Sequence, residues 1–141
     1  MIRFFDTSAL VKRYVDEPGS AMVRSALRAH LVSVARVAFA EAAAAVARAA
    51  RLGAITDSQR DVILGRLPHD FTRLSVIEMR PALIARVSSL VTRHPLRAYD
   101  AIQLASALAL RQAEGPVELW CADGVLLEAA IAEGFRVVKP E

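Results

Sequence analysis

At 141 residues the chain suits a single domain, 1–141, large enough to fold without a disulfide or structural metal. Apolar residues make up 55% and the mean hydropathy is +0.34. No apolar run approaches the ~18 residues of a membrane span, and the N-terminus lacks the pattern of a signal peptide, so a cytoplasmic protein without a membrane partner is expected. The net charge of +3 comes almost wholly from arginine, since Lys12 and Lys139 are the only lysines. This balance is compatible with a phosphate-bearing partner, although no linear basic cluster stands out. Cys121 is the single cysteine, which excludes an internal disulfide, and His30, His69 and His94 have no metal-ligand spacing. Any bound metal would have to be held by carboxylates.

In chain order, Ile2–Phe5 reads as a strand ending in Asp6, Thr7 and Ser8. Ala9–Tyr14 and Ala21–Ala29 read as helices interrupted by Pro18-Gly19. Leu31–Val34 is a second strand, and Arg36–Leu52 an alanine-rich helix stopped by Gly53. Asp57–Leu67 is helical, with Pro68 expected to end it. Leu74–Ile77 is a third strand, Ala82–Thr92 a helix, and Ala98–Gln112 a longer helix that contains Gln103 and Ser106 within an apolar run. Val117–Cys121, Val125–Glu133 and Arg136–Val138 complete the pattern as strand, helix and strand. Strands separated by helices imply parallel pairing through right-handed crossovers. The expected fold class is α/β, with about five parallel strands and helices on both faces.

Four acids stand at positions where such a fold collects ligands. Asp6 and Asp123 each follow a strand and precede a helix, so either could be an N-cap worth ~1 kcal/mol. Asp123 is followed by Gly124, which also allows an Asp-Gly turn. Asp100 lies in the first turns of its helix, where the dipole alone favours an acid. Glu41 is set among Val37, Ala38, Ala44 and Ala45. It is either directed into a crevice or part of a narrow solvent stripe with Arg48. Taken singly, each has an ordinary structural explanation.

Taken together they do not. If the first and fourth strands are neighbours, Asp6 and Asp123 flank the topological switch point of the sheet. Two carboxylates ~4 Å apart repel by about 4 kcal/mol at an effective dielectric of 20. A cluster of them requires raised pKa values or a bound cation. A hard cation such as Mg²⁺ or Mn²⁺ suits an all-carboxylate set.

These motifs resemble the PIN domain, specifically VapC-type toxins. The resemblance rests on Asp6-Thr7-Ser8-Ala9-Leu10, on Glu41 within Ala38–Ala42, on Asp100 within Leu96–Ala105, and on Asp123 within Cys121–Ala130. It implies the strand order 3-2-1-4-5 and a metal-dependent endoribonuclease that hydrolyses tRNA or rRNA phosphodiester bonds. It also implies a homodimer and inhibition by a VapB-type antitoxin. The resemblance places Asp6, Glu41, Asp100 and Asp123 as the acids, with Asp6 and Asp100 in direct contact with Mg²⁺ (or Mn²⁺), and Ser8, in preference to Thr7, as the accessory hydroxyl. Lys12, Arg13 and Arg97 are candidates for RNA backbone contacts. Cys121 departs from the Ser or Thr common two residues before the fourth acid, and a thiol is a weaker hydrogen-bonding partner. Three other readings are open to an acid at this edge. A phosphoacceptor receiver domain would need an Asp where Glu78 stands, and a haloacid-type phosphatase an Asp where Ser8 stands. A catalytically silent PIN module would not need all four acids.

Overall fold

The computed structural model describes all residues, 1–141. In chain order the elements are β1 (Ile2–Phe5), α1 (Thr7–Leu10), a 3₁₀ turn (Val11–Arg13), α2 (Ser20–Ala29), β2 (Val32–Ala35), α3 (Val37–Arg51) and α4 (Asp57–Thr72). They continue as β3 (Ser75–Ile77), α5 (Pro81–Ile84), α6 (Val87–Arg93), α7 (Ala98–Glu114), β4 (Val117–Trp120), α8 (Gly124–Ala132) and β5 (Arg136–Val138). The five strands form one parallel sheet in the order β3-β2-β1-β4-β5, the order that the PIN-domain resemblance implies.

The central strands are buried on both faces, so alternate residues enter different cores. Phe4, Val117 and Leu119 pack with Leu104, Leu110 and Leu126 on one side. Phe5, Val32, Val34 and Trp120 pack with Leu10, Val23, Leu67 and Phe71 on the other. Phe5 stacks on Trp120 with ring centroids 4.7 Å apart, across the β1–β4 pair that defines the switch point.

Three elements differ from their sequence reading. The first helix starts at Thr7 rather than Ala9, because Asp6 caps it, and it tightens into the 3₁₀ turn before Tyr14. The stretch read as Ala82–Thr92 divides into α5 and α6, although Ala85 and Arg86 keep right-handed helical dihedrals. The break is thus one of hydrogen bonding, not of direction. Most instructive, α4 runs through Pro68 to Thr72. A proline inside a helix forfeits a hydrogen bond and crowds the preceding turn, at a cost of roughly 3 kcal/mol. Tertiary anchoring of the last turn offsets it. Leu67 and Phe71 are buried. Buried Asp70 accepts a hydrogen bond from the Tyr14 hydroxyl at 2.8 Å and pairs with Arg13 at 3.3 Å.

Candidate active site

The carboxyl ends of β1 and β4 converge on one another. The Asp6 N–H donates to the Trp120 carbonyl at 3.0 Å, which continues the β1–β4 ladder one residue past the strands. Asp6 is then extended (φ −74°, ψ 174°), and its Oδ1 accepts from the Ala9 N–H at 3.1 Å. The capping reading of Asp6 is therefore real. It does not exhaust the residue. The carboxyl is only 4% exposed, and burial pushes its pKa up to about 6, against the lowering effect of hydrogen bonds from Ser8 and Ala9. An ordinary surface cap would not be held in this way.

Ser8 ties the two strand ends together. Its Oγ lies 2.7 Å from Asp6 Oδ1 and 2.9 Å from Oδ2, and donates to that carboxylate. The same oxygen accepts from the Ala122 N–H at 2.8 Å and the Asp123 N–H at 3.1 Å. One donated and two accepted bonds fill the capacity of a hydroxyl. Ser8 thus fixes both Asp6 and the backbone that carries Asp123. The Cys121 thiol, a weak point in the sequence reading, instead donates to the Asp123 carbonyl at 3.2 Å. Support of the Asp123 loop does not fall on the thiol alone.

The second hydroxyl is used as well. Thr7 Oγ1 donates to Glu41 Oε1 at 2.9 Å. Gln103 Nε2 lies 2.8 Å from the same carboxylate oxygen and 2.9 Å from Thr7 Oγ1, donating to both. Glu41 is accordingly drawn into the crevice, and it is not part of a solvent stripe with Arg48. Gln103 is 2% exposed, and its Oε1 has no hydrogen-bonding partner. In the sequence this residue reads only as a polar interruption in an apolar helix. The signal was its spacing, three residues beyond Asp100 and hence on the same helical face.

Asp123 caps α8, accepting from the Val125 N–H at 3.3 Å. Asp100 lies in the first turn of α7. Partial burial raises its pKa, and the nearby charges of Asp123 and then Glu41 push it further in the same direction, while Arg97 opposes them. All four acids, with Thr7, Ser8 and Gln103, line one cavity of about 550 Å³. The only cation in its wall is Lys12, whose Nζ donates to the Pro18 carbonyl at 2.7 Å and pairs with Glu17 at 3.3 Å. Lys12 is therefore structural, which removes it from the candidates for RNA contact. Arg13 turns away from the acids to Asp70 and stacks on Tyr14. Arg97 does remain at the site, in a contiguous recess of about 520 Å³ with Tyr99, Glu41, Asp100 and Asp123.

The donor set fits a hard divalent cation. It consists of oxygen ligands with excess negative charge, and Arg97 in the adjoining recess is the one unpaired cation beside them. No three of the acids converge on a single point. Mg²⁺ is commonly held by one or two carboxylates and keeps several of its waters, so this spread matches its habit better than a preformed cage would.

The PIN domain family model matches residues 3–114. The chain belongs to the PIN-domain family. Its relatives narrow the assignment to the VapC type. The ribonucleases VapC45 and VapC49 of Mycobacterium tuberculosis are each 33% identical over 140 residues, covering 98% of this chain and 95% of theirs. Among solved structures, a toxin–antitoxin complex from Klebsiella pneumoniae superposes with a TM-score of 0.67 at 18% identity, over 99% of this PIN domain and 98% of that chain. FitAcB from Neisseria gonorrhoeae gives 0.63 at 19% identity, over 99% and 98%. At those identities the structures speak for the fold. Asp123 lies beyond the family-model match, yet the fold brings it to the same cavity as the three acids within it.

Proposed function

We propose that this PIN domain is a metal-dependent endoribonuclease, the toxin of a VapBC-type pair, acting on tRNA or rRNA. The observation that carries the reading is the convergence of four carboxylates on one cavity with no free cation in its wall. Asp6 and Asp100 would hold Mg²⁺ or Mn²⁺ directly, with Glu41 and Asp123 reaching it through water. The bound ion would lower the pKa of a water and stabilise charge on the scissile phosphate and leaving oxygen.

The chain's own groups have distinct tasks. Thr7 and Gln103 occupy Glu41 Oε1 and leave Oε2 without a hydrogen bond, free to accept a proton from water. Val125 N–H occupies Asp123 Oδ1 and leaves Oδ2 similarly free. Ser8 keeps Asp6 in place and partly offsets the burial that favours its protonation. Arg97, exposed at the rim, would contact the RNA backbone.

The names of the relatives support the reading: VapC ribonucleases by sequence and toxin–antitoxin complexes by fold. The partners are then a VapB-type antitoxin and a second copy of the chain. Exposed Met22, Leu52, Val62 and Met79 supply apolar surface for such contacts. No helix is long and apolar enough to cross a membrane, which agrees with a cytoplasmic site of action. The purified protein should cleave RNA in Mg²⁺ or Mn²⁺ and stop when EDTA is added. Asp6→Asn and Asp100→Asn should abolish cleavage while circular dichroism shows an intact fold. Undiminished cleavage by both variants would overturn the site, and RNA binding without cleavage in either metal would leave a silent binding module.

A further inference from the structure

A second cavity exceeds the acidic one in volume. A recess of about 760 Å³ lies where the C-terminal ends of α2 and α4 meet the starts of β2 and β3. Helices that return between parallel strands run opposite to them, so this recess lies at the sheet edge away from the acids. Five arginines line it: Arg13 from the 3₁₀ turn, Arg24 and Arg28 from α2, and Arg66 and Arg73 from the end of α4. His30 and His69 complete the polar wall, and Asp70 is the only acid. Five arginines against one aspartate give four net positive charges, more than the +3 of the whole chain.

Two of the arginines are committed. Arg13 pairs with Asp70, and Arg24 pairs with Asp16 at 3.1 Å. Arg28, Arg66 and Arg73 are exposed and form no ion pair or side-chain hydrogen bond within the chain. The helix dipole accounts for cations such as Arg28 and His69 in the last turns of their helices. It does not account for Arg66 or Arg13, nor for the convergence of three separate elements. Continuing α4 through Pro68 is what brings His69 and Arg73 to the same wall as Arg66. Guanidinium groups without partners, grouped around a concavity, focus positive potential there and suit the planar oxygens of phosphate.

We propose that this recess is a second RNA-docking site, which grips the sugar-phosphate backbone of a structured substrate away from the point of cleavage. The proposal rests on the ribonuclease reading for its ligand. Adjacency supports RNA over an acidic protein segment, because Lys12 lines the acid cavity and the next residue, Arg13, lines the basic one. Consecutive residues of one short turn thus line the two cavities. A strand of four residues spans about 13 Å, a separation that a folded RNA bridges easily.

The test is fluorescence anisotropy with labelled bulk tRNA, in an Asp100→Asn background so that no cleavage intervenes. Titrations from 50 to 200 mM KCl compare this protein with one also carrying Arg28→Gln, Arg66→Gln and Arg73→Gln. A control removes three exposed cations elsewhere, at Arg51, Arg80 and Lys139. Each lost phosphate contact lowers the salt slope by about 0.7 for a single strand, so the triple variant should lose about 2 from the slope. Its Kd at low salt should rise about tenfold or more, with the melting transition intact. The control triple should shift both quantities much less. Equal effects from the two triples, or an unchanged slope, would overturn the proposal. So would intact tRNA binding with loss of antitoxin binding, which would assign the recess to a protein partner. Failure of the ribonuclease reading would show separately, as wild-type protein that cleaves no RNA in Mg²⁺ or Mn²⁺.

Discussion

Asp6→Asn tests the central electrostatic claim without depending on catalysis. Burial holds the Asp6 carboxyl at about 6, whereas an unfolded aspartate titrates near ~3.9. The neutral acid is therefore favoured by the fold. Between roughly pH 4 and 6 the native state binds more protons than the unfolded one, so stability falls as pH rises through that window. The stabilisation of the neutral form is fully present below about pH 4 and is lost once pH passes about 6. A shift of this size is worth about 3 kcal/mol. Asparagine is as good an N-cap as aspartate and carries no charge at any pH. Its amide N–H₂ does meet the Ser8 oxygen, whose bonds are already full, and that cost is the same at every pH.

The informative quantity is thus the difference between pH 7.5 and pH 4. The stability of Asp6→Asn relative to wild type should increase by about 3 kcal/mol across that interval. Urea unfolding followed by the fluorescence of Trp120, the only tryptophan, buried against Phe5, gives both free energies. A relative change below about 1 kcal/mol would refute the claim that burial dominates at Asp6. The same titration in MgCl₂ adds a second readout. A ligand at a hundred times its Kd stabilises by about 2.7 kcal/mol; wild type should gain and Asp6→Asn should gain little, and equal gains would remove Asp6 from the metal's ligands.

Four other substitutions probe the scaffold. Ser8→Ala strands the Ala122 and Asp123 amides together with a lone pair of Asp6, and should cost about 2–4 kcal/mol in urea unfolding while reducing cleavage at least tenfold by the order of magnitude of a lost positioning contact. Gln103→Leu and Thr7→Val each remove one donor to Glu41 Oε1; kcat should fall about tenfold with KM little changed, and the double variant should fall short of the product because both donors serve one atom. Gly19→Ala places a Cβ 2.5 Å from the Pro140 carbonyl at a φ of +93°, and should destabilise by about 1–3 kcal/mol; a change under half a kcal/mol would mean that the C-terminal residues dock only loosely.

The sheet and the acids were legible because each rests on local pattern. Short apolar runs alternating with helical periods dictate a parallel sheet, and acids directly after strands must lie at its carboxyl edge. What escaped the sequence reading depends on contacts between distant segments. Pro68 reads as a stop because proline rules are local, while the energy that carries α4 onward comes from Asp70, Tyr14 and Phe71. Gln103 was invisible as a site residue until α3 and α7 packed and brought Glu41 against it. The basic recess was missed for the same reason. Its arginines are dispersed from residue 13 to residue 73, and only the fold assembles them.

Asp6 also shows why capping and ligation are poor alternatives at such an edge. A helix start directly after a strand needs a side-chain acceptor for its free N–H groups, and a carboxylate supplies one. The bonds from Ala9 and Ser8 lower the cost of keeping that carboxylate ionised under burial. The cap therefore helps prepare the acid for a cation, and the hydroxyl that completes it also fixes Asp123, three strands later in sequence. Replacing the acid with asparagine should keep the helix, raise the stability above pH 6 and remove the activity. A structural cap alone would lose nothing on that substitution, so the joint outcome separates the two roles within one residue.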